Sequence, residues 1–478
     1  MKTIIGRKKE IEKMEALLAS SRAEFLAVTG RRRVGKTFLI DALFSEHYCF
    51  SMTGIQNSSL ANQLANFSEK LSEYDGTFPE RTFNDWRTAF SHFKQYLKTL
   101  DPLKKKVIFL DELPWMDTPK SGFIQILAHF WNDYLSKQPH FLLVICGSAT
   151  SWITQKIIND PGGLHNRITE NIHLYAFTLP EAQALIQHKG LQYNHQDIAK
   201  LYMSLGGIPF YLEALQKGES VAMAIERICF APTGMLYNEY NNLFQALFNN
   251  AALHQTIVAA LANQPSGMTH TELLQAIKMK QATGSYQRAV YELIVSDFIM
   301  EYVPFGKKKR GTVLKLIDEY CIFYHHFMKP NRKYTQGLWQ QLAETQAYKI
   351  WAGYAFETLC HKHIQLIKNI LQIGAVYTET YSLRVPANED SGGFQIDLLI
   401  DRKDNCMNLC EIKFYSGSFV ISKDYYKQLV DKKQRFVDYT GTSKQVFLTF
   451  ITNHGVTMNS SAQAIVDVQV RLEDFFSS

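Results

Sequence analysis

Eight consecutive residues near the N-terminus have the types and spacing of a loop that binds phosphate groups. The loop and the residue after it read Gly30, Arg31, Arg32, Arg33, Val34, Gly35, Lys36, Thr37 and Phe38. An apolar run at 25–28 predicts a strand before the loop, and the pattern at 38–44 predicts a helix after it. In that setting, backbone N–H groups of the loop and of the helix N-terminus point at phosphate oxygens. Lys36 would reach the β- and γ-phosphates of a nucleoside triphosphate, and the Thr37 hydroxyl would bind Mg²⁺.

A second apolar run, at 107–110, ends in two carboxylates, Asp111 and Glu112. A parallel strand delivers the residues at its carboxyl end to the edge of the sheet where ligands bind. We expect Asp111 to hold Mg²⁺, often through water, and Glu112 to act as the general base for the attacking water. The alternative is a strand that simply ends in acidic residues.

A third apolar run, at 142–146, leads to Ser148. We expect its strand to lie next to the strand that carries Asp111, so that Ser148 senses the γ-phosphate or orients water. The alternative is that the Ser148 side chain caps a helix or a turn.

Together with Arg167 and the segment Gly206-Gly-Ile-Pro209, these elements resemble the prokaryotic AAA-type ATPases related to the STAND regulators. The resemblance covers about the first 245 residues. It implies ATP as the ligand, Arg167 as an arginine finger or γ-phosphate sensor, and Pro209 packed against adenine, with Gly6-Arg7 closing over the base. A surface arginine is the alternative for Arg167. The sequence has no NKxD-type motif to read guanine, which also favours ATP over GTP.

Residues 251–330 have the order helix, helix, basic hairpin, and they resemble a winged helix-turn-helix. The second helix, expected at 284–295, would place four residues of its first turn at base edges: Ser285, Tyr286, Gln287 and Arg288. The basic turn Lys307-Lys-Lys-Arg310 would contact DNA phosphates. The alternative is a rigid connector whose charged turn is merely solvated.

Near the C-terminus, Asp397 lies in one predicted strand, and Glu411 and Lys413 lie two residues apart in the next, on one face. Two carboxylates can hold a divalent cation, and a lysine beside them can orient water and stabilise charge on phosphorus. With Glu357 in the preceding helix, this part resembles the PD-(D/E)xK nuclease fold, although Ile396 stands where that family has proline. The alternative is an ion pair of Lys413 with Asp397 or Glu411 in a catalytically inactive module.

Composition is that of a globular protein: 46% of the 478 residues are apolar and 20% are charged, which excludes a disordered chain. A net charge of +6 permits a nucleic-acid partner. No apolar run predicts a signal peptide or a membrane helix, so we expect no membrane partner. The seven cysteines form no CxxC pair and are expected to be reduced thiols of a cytoplasmic protein.

The predicted fold class is α/β: a P-loop NTPase sheet of the AAA type, a helical lid, a winged helix and a restriction-endonuclease-like domain. The expected boundaries are 1–180 for the ATPase core, 181–250 for the lid, 251–330 for the winged helix, 331–347 for a linker and 348–478 for the nuclease-like domain.

The predicted function is ATP hydrolysis with Mg²⁺, by a protein that acts on DNA or is regulated by it and carries a metal-dependent nuclease-like module. An arginine finger supplied by a neighbouring copy would make the protein a homo-oligomer. The alternatives are a STAND-like switch and a remodeller of a protein complex, each with a C-terminal domain that only binds a partner.

Overall fold

Two parts of the chain fold as separate units in the computed structural model, which describes residues 3–77, 81–159, 162–248, 250–307, 311–386 and 392–477. The first unit comprises Met1–Ala176, Ala246–Asn249 and Tyr291–Asp297. The second comprises Phe177–Gln245, Asn250–Val290 and Phe298–Ser478. The segments predicted as lid, winged helix and nuclease-like domain therefore lie mainly in one unit. Among the described residues, no helix combines the length and the apolar character needed to cross a membrane.

The first unit is built on a five-stranded parallel sheet in the order β2-β3-β4-β1-β5. Its strands are β1 (Glu24–Thr29), β2 (Tyr48–Thr53), β3 (Lys106–Asp111), β4 (Phe141–Cys146) and β5 (Glu170–His173). Every residue of β1 and β4 is buried, as expected for strands covered by helices on both faces. The three predicted strands are confirmed, and β4 pairs directly with β3, as the position of Ser148 required.

The α-helices described in this unit are α1 (Lys8–Ala19), α2 (Lys36–Phe44), α3 (Leu60–Asp75), α4 (Trp86–Lys98), α5 (Leu113–Met116), α6 (Phe123–Asp133) and α7 (Thr150–Ile153). Aromatic side chains from strand and helix form much of the core, and the rings of Phe50 and Phe93 lie 4.5 Å apart. Phe90 and Phe93 are buried at helical spacing on α4, and burial of such a side chain contributes about 1.5–3 kcal/mol. This core fixes the strands whose carboxyl ends carry the polar residues of interest.

The second unit begins with five helices: α8 (Leu179–His188), α9 (His195–Leu205), α10 (Pro209–Leu212), α11 (Val221–Ile225) and α12 (Glu239–Leu247). The predicted interruption at Gly206-Gly-Ile-Pro209 separates α9 from α10. Gly207 is required there, because a Cβ on it would lie 2.0 Å from the Phe177 carbonyl oxygen. The Phe177 N–H donates to the Gly207 carbonyl at 2.7 Å, so the two backbone segments are held in contact.

The described part of 251–316 contains helices and a small antiparallel sheet in the order β6-β8-β7. The elements in chain order are α13 (Ala251–Ala262), β6 (Met268–Thr269), α14 (His270–Ala276), α15 (Gly284–Val295), β7 (Ile299–Tyr302) and β8 (Val313–Leu316). Thr269 caps α14, as predicted, and Glu272 completes a capping box. The order of helices and strands is the predicted one.

The segment predicted as a linker, 331–347, is packed rather than free. It contains α17 (Leu338–Ala343), which follows α16 (Glu319–Phe323). Trp339 is buried, and its ring stacks on Phe230 at 5.7 Å. The N–H groups of Gly337 and Trp339 both donate to the carboxylate of Glu226. A single tryptophan thus anchors a segment that otherwise reads as polar, and its role as a linker stays a prediction.

The C-terminal part has a five-stranded mixed sheet in the order β15-β13-β11-β10-β9. Its elements are α18 (Gln346–Lys362), α19 (Ile364–Ile370), β9 (Thr378–Val385), β10 (Phe394–Arg402), β11 (Cys406–Lys413), β12 (Phe419–Val420), α20 (Lys423–Thr440), β13 (Gln445–Thr452), β14 (Val456–Thr457), α21 (Ser460–Ile465) and β15 (Val468–Arg471). Strands β10 and β11 are antiparallel neighbours, and β11 and β13 run parallel. The predicted strands around Asp397, Glu411 and residues 445–451 are confirmed.

Candidate functional site

The loop between β1 and α2 has backbone geometry that only glycine permits at its first position. Gly30 has φ 135°, and a Cβ on it would lie 2.3 Å from the Leu174 carbonyl oxygen. Gly35, at φ 91°, immediately precedes α2 and also needs the freedom of glycine. The N–H groups at the start of α2 are left without helical partners and are available to phosphate.

Lys36 is the first residue of α2 and is 6% exposed. Its Nζ donates to the carbonyl oxygens of Gly30 at 2.8 Å and Arg31 at 2.9 Å. These bonds hold the ammonium group across the loop, where it faces the position that phosphates would take. The placement agrees with the role predicted for Lys36.

Thr37 and Asp111 meet at the carboxyl end of β3. The Thr37 hydroxyl donates to Oδ2 of Asp111 at 3.1 Å, and the Glu112 N–H donates to Oδ1 at 2.9 Å. A hydroxyl oxygen beside a buried carboxylate fits the preference of Mg²⁺ for hard oxygen ligands with several retained waters. The pair predicted to hold Mg²⁺ is therefore brought together.

Glu112 is held by Ser148 from the neighbouring strand end. The Ser148 N–H and hydroxyl both donate to the Glu112 carboxylate, at 3.1 Å and 3.0 Å. Burial raises the pKa of Glu112, and the Ser148 backbone bond and the charge of Lys36 partly oppose that rise. The predicted helix-cap alternative for Ser148 is wrong, because Ala149 precedes α7 and the serine side chain binds Glu112 instead.

The structure shows two further contacts with the loop. The first had no signal in the sequence, and the sequence indicated only the segment that makes the second. Thr150 accepts a hydrogen bond from the Gly30 N–H at 3.2 Å through its hydroxyl, and no sequence pattern singled it out. Arg7 is buried and donates to the Val34 carbonyl at 3.2 Å, which places the Gly6-Arg7 segment against the loop.

The other predicted loop residues differ in exposure. Arg31 and Val34 are buried, Arg32 and Arg33 are half-buried, and Phe38 is 43% exposed at the start of α2. Their side chains therefore cannot all face a ligand.

Arg167 and Pro209 are the remaining residues predicted for this site. Arg167 is exposed in the turn before β5, where its N–H donates to the Leu164 carbonyl. An exposed arginine is available to a neighbouring copy, so the finger role stays a prediction. Pro209 begins α10 in the second unit, and its role at adenine also stays a prediction.

Three of the four side chains predicted to read DNA bases are exposed on the first turn of α15. They are Ser285, Gln287 and Arg288. The prediction for Tyr286 was wrong: it is 1% exposed, and its hydroxyl lies 3.0 Å from Nδ1 of His270. In the basic turn, Lys307 is exposed, and the remaining predicted residues, Lys308 to Arg310, lie outside the described residues.

Asp397, Glu411 and Lys413 come together on the C-terminal sheet as predicted. Nζ of Lys413 lies 3.9 Å from Asp397 Oδ2 and 3.3 Å from Glu411 Oε2. Burial and the Glu411 charge raise the pKa of Asp397 to about 6. Burial acts to lower the pKa of Lys413, but the two carboxylates outweigh it and raise that pKa above its ordinary value.

Further cations occupy the remaining sides of this carboxylate cluster. Glu357 pairs with Lys315 of β8, with Nζ 3.0 Å from Oε1. Glu411 is 1% exposed and pairs with Lys432 of α20 as well as with Lys413. Lys315 and Lys432 were not predicted, because they are distant in the sequence and no motif links them to the cluster.

Three lysines pair with the three carboxylates of the cluster. Glu357, Asp397 and Glu411 are balanced by Lys315, Lys413 and Lys432, so positive charge is already supplied. Within the described ranges, no group of three or more His, Cys, Asp or Glu side chains has an arrangement that could hold a metal ion. Lys413 thus pairs with both carboxylates, and the metal role predicted for Asp397 and Glu411 stays a prediction.

Comparison with known proteins identifies the N-terminal part. Residues 4–215 match the family model of an ATPase domain found predominantly in Archaea. That range contains the loop, both carboxylates and Ser148, so this part of the chain is an ATPase domain. An uncharacterized protein of Methanocaldococcus jannaschii is 23% identical over 390 residues, which are 75% of this chain and 77% of that protein.

Two solved structures are similar to the chain, each with a TM-score below 0.5. A Walker-type ATPase of Pyrococcus abyssi has a TM-score of 0.48 and 19% identity, covering 67% of this chain and 96% of that chain. The ORC2 protein of Aeropyrum pernix, in ADPNP–ADP complexes, has a TM-score of 0.42 and 12% identity, covering 72% of this chain and 96% of that chain. At TM-scores below 0.5, neither likeness bears on the function of this chain.

Glu112→Gln should bind ATP normally and lower turnover by about 10²–10⁴-fold, because an amide keeps the contacts with Ser148 but cannot accept a proton. Glu112 acts as a base only when it is deprotonated. The pKa of Glu112 is raised above the ordinary value of about 4.3. Wild-type turnover should therefore fall as the pH decreases through that raised pKa. The pH profile of single-turnover hydrolysis measures this decrease, and the profile of Glu112→Gln should not show it.

Two variants separate binding from chemistry in that experiment. Lys36→Ala should lose ATP binding itself, because the phosphate charge loses its main compensating cation. Glu46→Gln changes an exposed acid of the same unit and should behave as wild type. Wild-type turnover in Glu112→Gln would show that another group is the base.

Lys315→Met should lower the free energy of unfolding by about 3–5 kcal/mol, because it leaves the Glu357 carboxylate, which is 14% exposed, without its lysine partner. The double variant Lys315→Met/Glu357→Gln should recover most of that loss. Denaturant unfolding of the full chain measures the free energies of the wild type, the two single variants and the double variant, which together form a double-mutant cycle. The partly exposed pair Lys189–Glu213 is the control, for which about 0–1 kcal/mol is expected. Additive single losses at Lys315 and Glu357 would mean that the pair does not interact.

Proposed function

We propose that this protein is an AAA-type ATPase that hydrolyses ATP with Mg²⁺ and acts on DNA or is regulated by it. The contact of Ser148 with Glu112 carries the proposal, because it holds a half-buried carboxylate next to the pair Thr37 and Asp111. A base, a metal-binding pair and a phosphate-binding loop at one sheet edge are the parts that triphosphate hydrolysis requires.

Each residue of the loop region has a defined task in this proposal. Lys36 compensates the charge on the β- and γ-phosphates, and the N–H groups at the start of α2 bind the same oxygens. A Mg²⁺ ion held by Thr37 and Asp111 would supply further positive charge to the phosphates. Glu112 takes a proton from the attacking water, and Ser148 keeps its carboxylate aimed at one place.

Arg167 is proposed as the finger that stabilises the charge developing on the γ-phosphate. Its exposure supports supply by a neighbouring copy, which makes the active form a homo-oligomer. Pro209 is proposed to pack against adenine, in keeping with its rigid position at the start of α10. The seven cysteines, all within the described residues, are free thiols, which supports a cytoplasmic location.

The elements α13 to β8 are proposed to form a winged helix that contacts DNA. The sheet order β6-β8-β7 and the helix order support that fold. Ser285, Gln287 and Arg288 are exposed at the N-terminal end of α15, the end that reads base edges in helix-turn-helix proteins. The alternative is a rigid connector in a remodeller of protein complexes, which would need no exposed polar set on this turn.

The C-terminal domain is proposed to have a nuclease-like fold but to bind a partner without cutting nucleic acid. The balance of three carboxylates by three lysines favours this alternative over a metal-dependent nuclease. The whole chain would then act as a STAND-like switch, in which ATP controls what the C-terminal module binds.

Alanine in place of the four cations of the basic turn should weaken DNA binding and flatten its dependence on salt. The residues are Lys307, Lys308, Lys309 and Arg310. Each lost phosphate contact removes about 0.9 from the slope of log affinity against log salt, so four contacts give up to about 3.6. Fluorescence anisotropy across a salt series measures the slope.

A charge-matched control shows whether position matters in that series. Its alanines replace four exposed lysines of the first unit: Lys8, Lys9, Lys13 and Lys104. An unchanged slope in the basic-turn variant, or an equal change in the control, would show that the turn does not contact phosphate.

Calorimetry with Mn²⁺ should show no binding at the C-terminal cluster, because its carboxylates already have cationic partners. The heat of titration should therefore be the same for the wild type and for Asp397→Ala. Thr37→Ala is the control, because it removes a ligand of the metal site expected in the ATPase domain. Plasmid and linear DNA should stay intact with Mn²⁺, with and without ATP. A binding event or a cut that Asp397→Ala removes would establish the nuclease instead.

A further inference from the structure

His173, the last residue of β5, hydrogen-bonds through both ring nitrogens to residues distant in the chain. Its Nδ1 lies 3.1 Å from the Thr29 hydroxyl, and its Nε2 lies 2.7 Å from Oδ2 of Asp297. All three residues belong to the first unit. Thr29 immediately precedes the phosphate-binding loop, and Asp297 follows the C-terminal end of α15. The three side chains therefore form a continuous polar connection between the loop and α15.

The carboxylate of Asp297 fixes the direction of one of these hydrogen bonds, whereas the Thr29 hydroxyl can donate or accept. A carboxylate only accepts hydrogen bonds, so the N–H at Nε2 of His173 donates to Asp297. In a neutral imidazole, Nδ1 is then the acceptor, and the Thr29 hydroxyl donates to it. Asp297 thereby sets the tautomer of His173 and, through it, the hydrogen bond that Thr29 makes.

The backbone beside His173 is in direct contact with the first residue of the loop. The Leu174 N–H donates to the Thr29 carbonyl at 2.8 Å, and a Cβ on Gly30 would lie only 2.3 Å from the Leu174 carbonyl oxygen. The Gly30 carbonyl in turn accepts from Nζ of Lys36. Close-packed backbones transmit a displacement rather than absorb it, so a shift at the end of β5 reaches Lys36.

At the other end, Asp297 terminates α15 in a constrained turn. It has φ 61°, and its N–H donates to the Ile294 carbonyl at 3.1 Å. Helix α15 has 12 residues and spans about 18 Å at 1.5 Å per residue. Its exposed first turn, with Gln287 and Arg288, is thus linked by one hydrogen-bonded helix to the residue that binds His173.

We propose that Thr29, His173 and Asp297 couple nucleotide binding at the loop to a DNA contact at the first turn of α15. His173 and Asp297 are positioning residues in this coupling and touch neither ligand. The choice of DNA as the partner rests on the proposed function. By linkage, an ATP analogue must change DNA affinity by the same factor as DNA changes the affinity for the analogue.

The test compares wild type with Asp297→Asn, since asparagine tolerates the left-handed conformation and removes only the charge. The affinity for a mixed-sequence DNA duplex is measured with and without a non-hydrolysable ATP analogue and Mg²⁺. A wild-type change of about fivefold or more is expected, in either direction, and a much smaller change in Asp297→Asn. The affinity of Asp297→Asn for the analogue alone should equal that of wild type.

The matched control acts at the opposite end of the same strand. Glu170→Gln removes the ion pair of Glu170 with Lys13 at the start of β5 and leaves His173 in place. It should keep the wild-type coupling. A loss equal to that of Asp297→Asn would show that any disturbance of β5 suffices, and it would overturn the specific connection.

Amide hydrogen exchange over residues 284–297 supplies a readout that needs no DNA. Adding the analogue should change the exchange in wild type and in Glu170→Gln, but not in Asp297→Asn. No change in wild type, or an equal change in Asp297→Asn, would overturn the coupling. A change that depends on Asp297 in a protein that binds no DNA would uphold the coupling and reject the proposed DNA contact.

Discussion

The nucleotide site depends on the adjacency of three parallel strands. Because β3 pairs with β4 and β4 pairs with β1, their carboxyl ends meet at one edge of the sheet. The loop leaves β1, the carboxylates leave β3 and Ser148 follows β4, so residues more than a hundred positions apart come within hydrogen-bonding distance. The aromatic core packed on the sheet maintains this adjacency, which makes the chemistry of the site dependent on packing far from it.

The two carboxylate sites of the chain solve the problem of buried charge in different ways. In the ATPase domain, Asp111 accepts a hydroxyl and a backbone N–H, and Glu112 accepts two donors from Ser148. These neutral donors leave negative charge for a cation to balance. In the C-terminal domain, Glu411 has two lysines as partners. Full ionic pairing satisfies the charge internally and leaves little for an added ion to gain.

Local patterns predicted much of the fold and most of the nucleotide site. The glycine spacing, the apolar strands and the order of elements in 251–316 were all readable, because each rests on nearest-neighbour chemistry. Burial of Tyr286 was also readable, since Tyr286, Ala289, Val290 and Leu293 repeat at helical spacing and are all buried. The partner of Glu357 could not be predicted from the sequence, because Lys315 is 42 residues away and only tertiary packing brings the two together. Trp339 escaped prediction for the same reason.

The pair of Lys315 and Glu357 also constrains how this protein can change over evolutionary time. Loss of either residue alone leaves a largely buried charge without a partner, at a cost of about 3–5 kcal/mol, a large share of the stability of an ordinary domain. Substitutions at the two positions should therefore be fixed together or not at all. Strand β8, which carries Lys315, and helix α18, which carries Glu357, would then be inherited as one block, and recombination between them would be selected against.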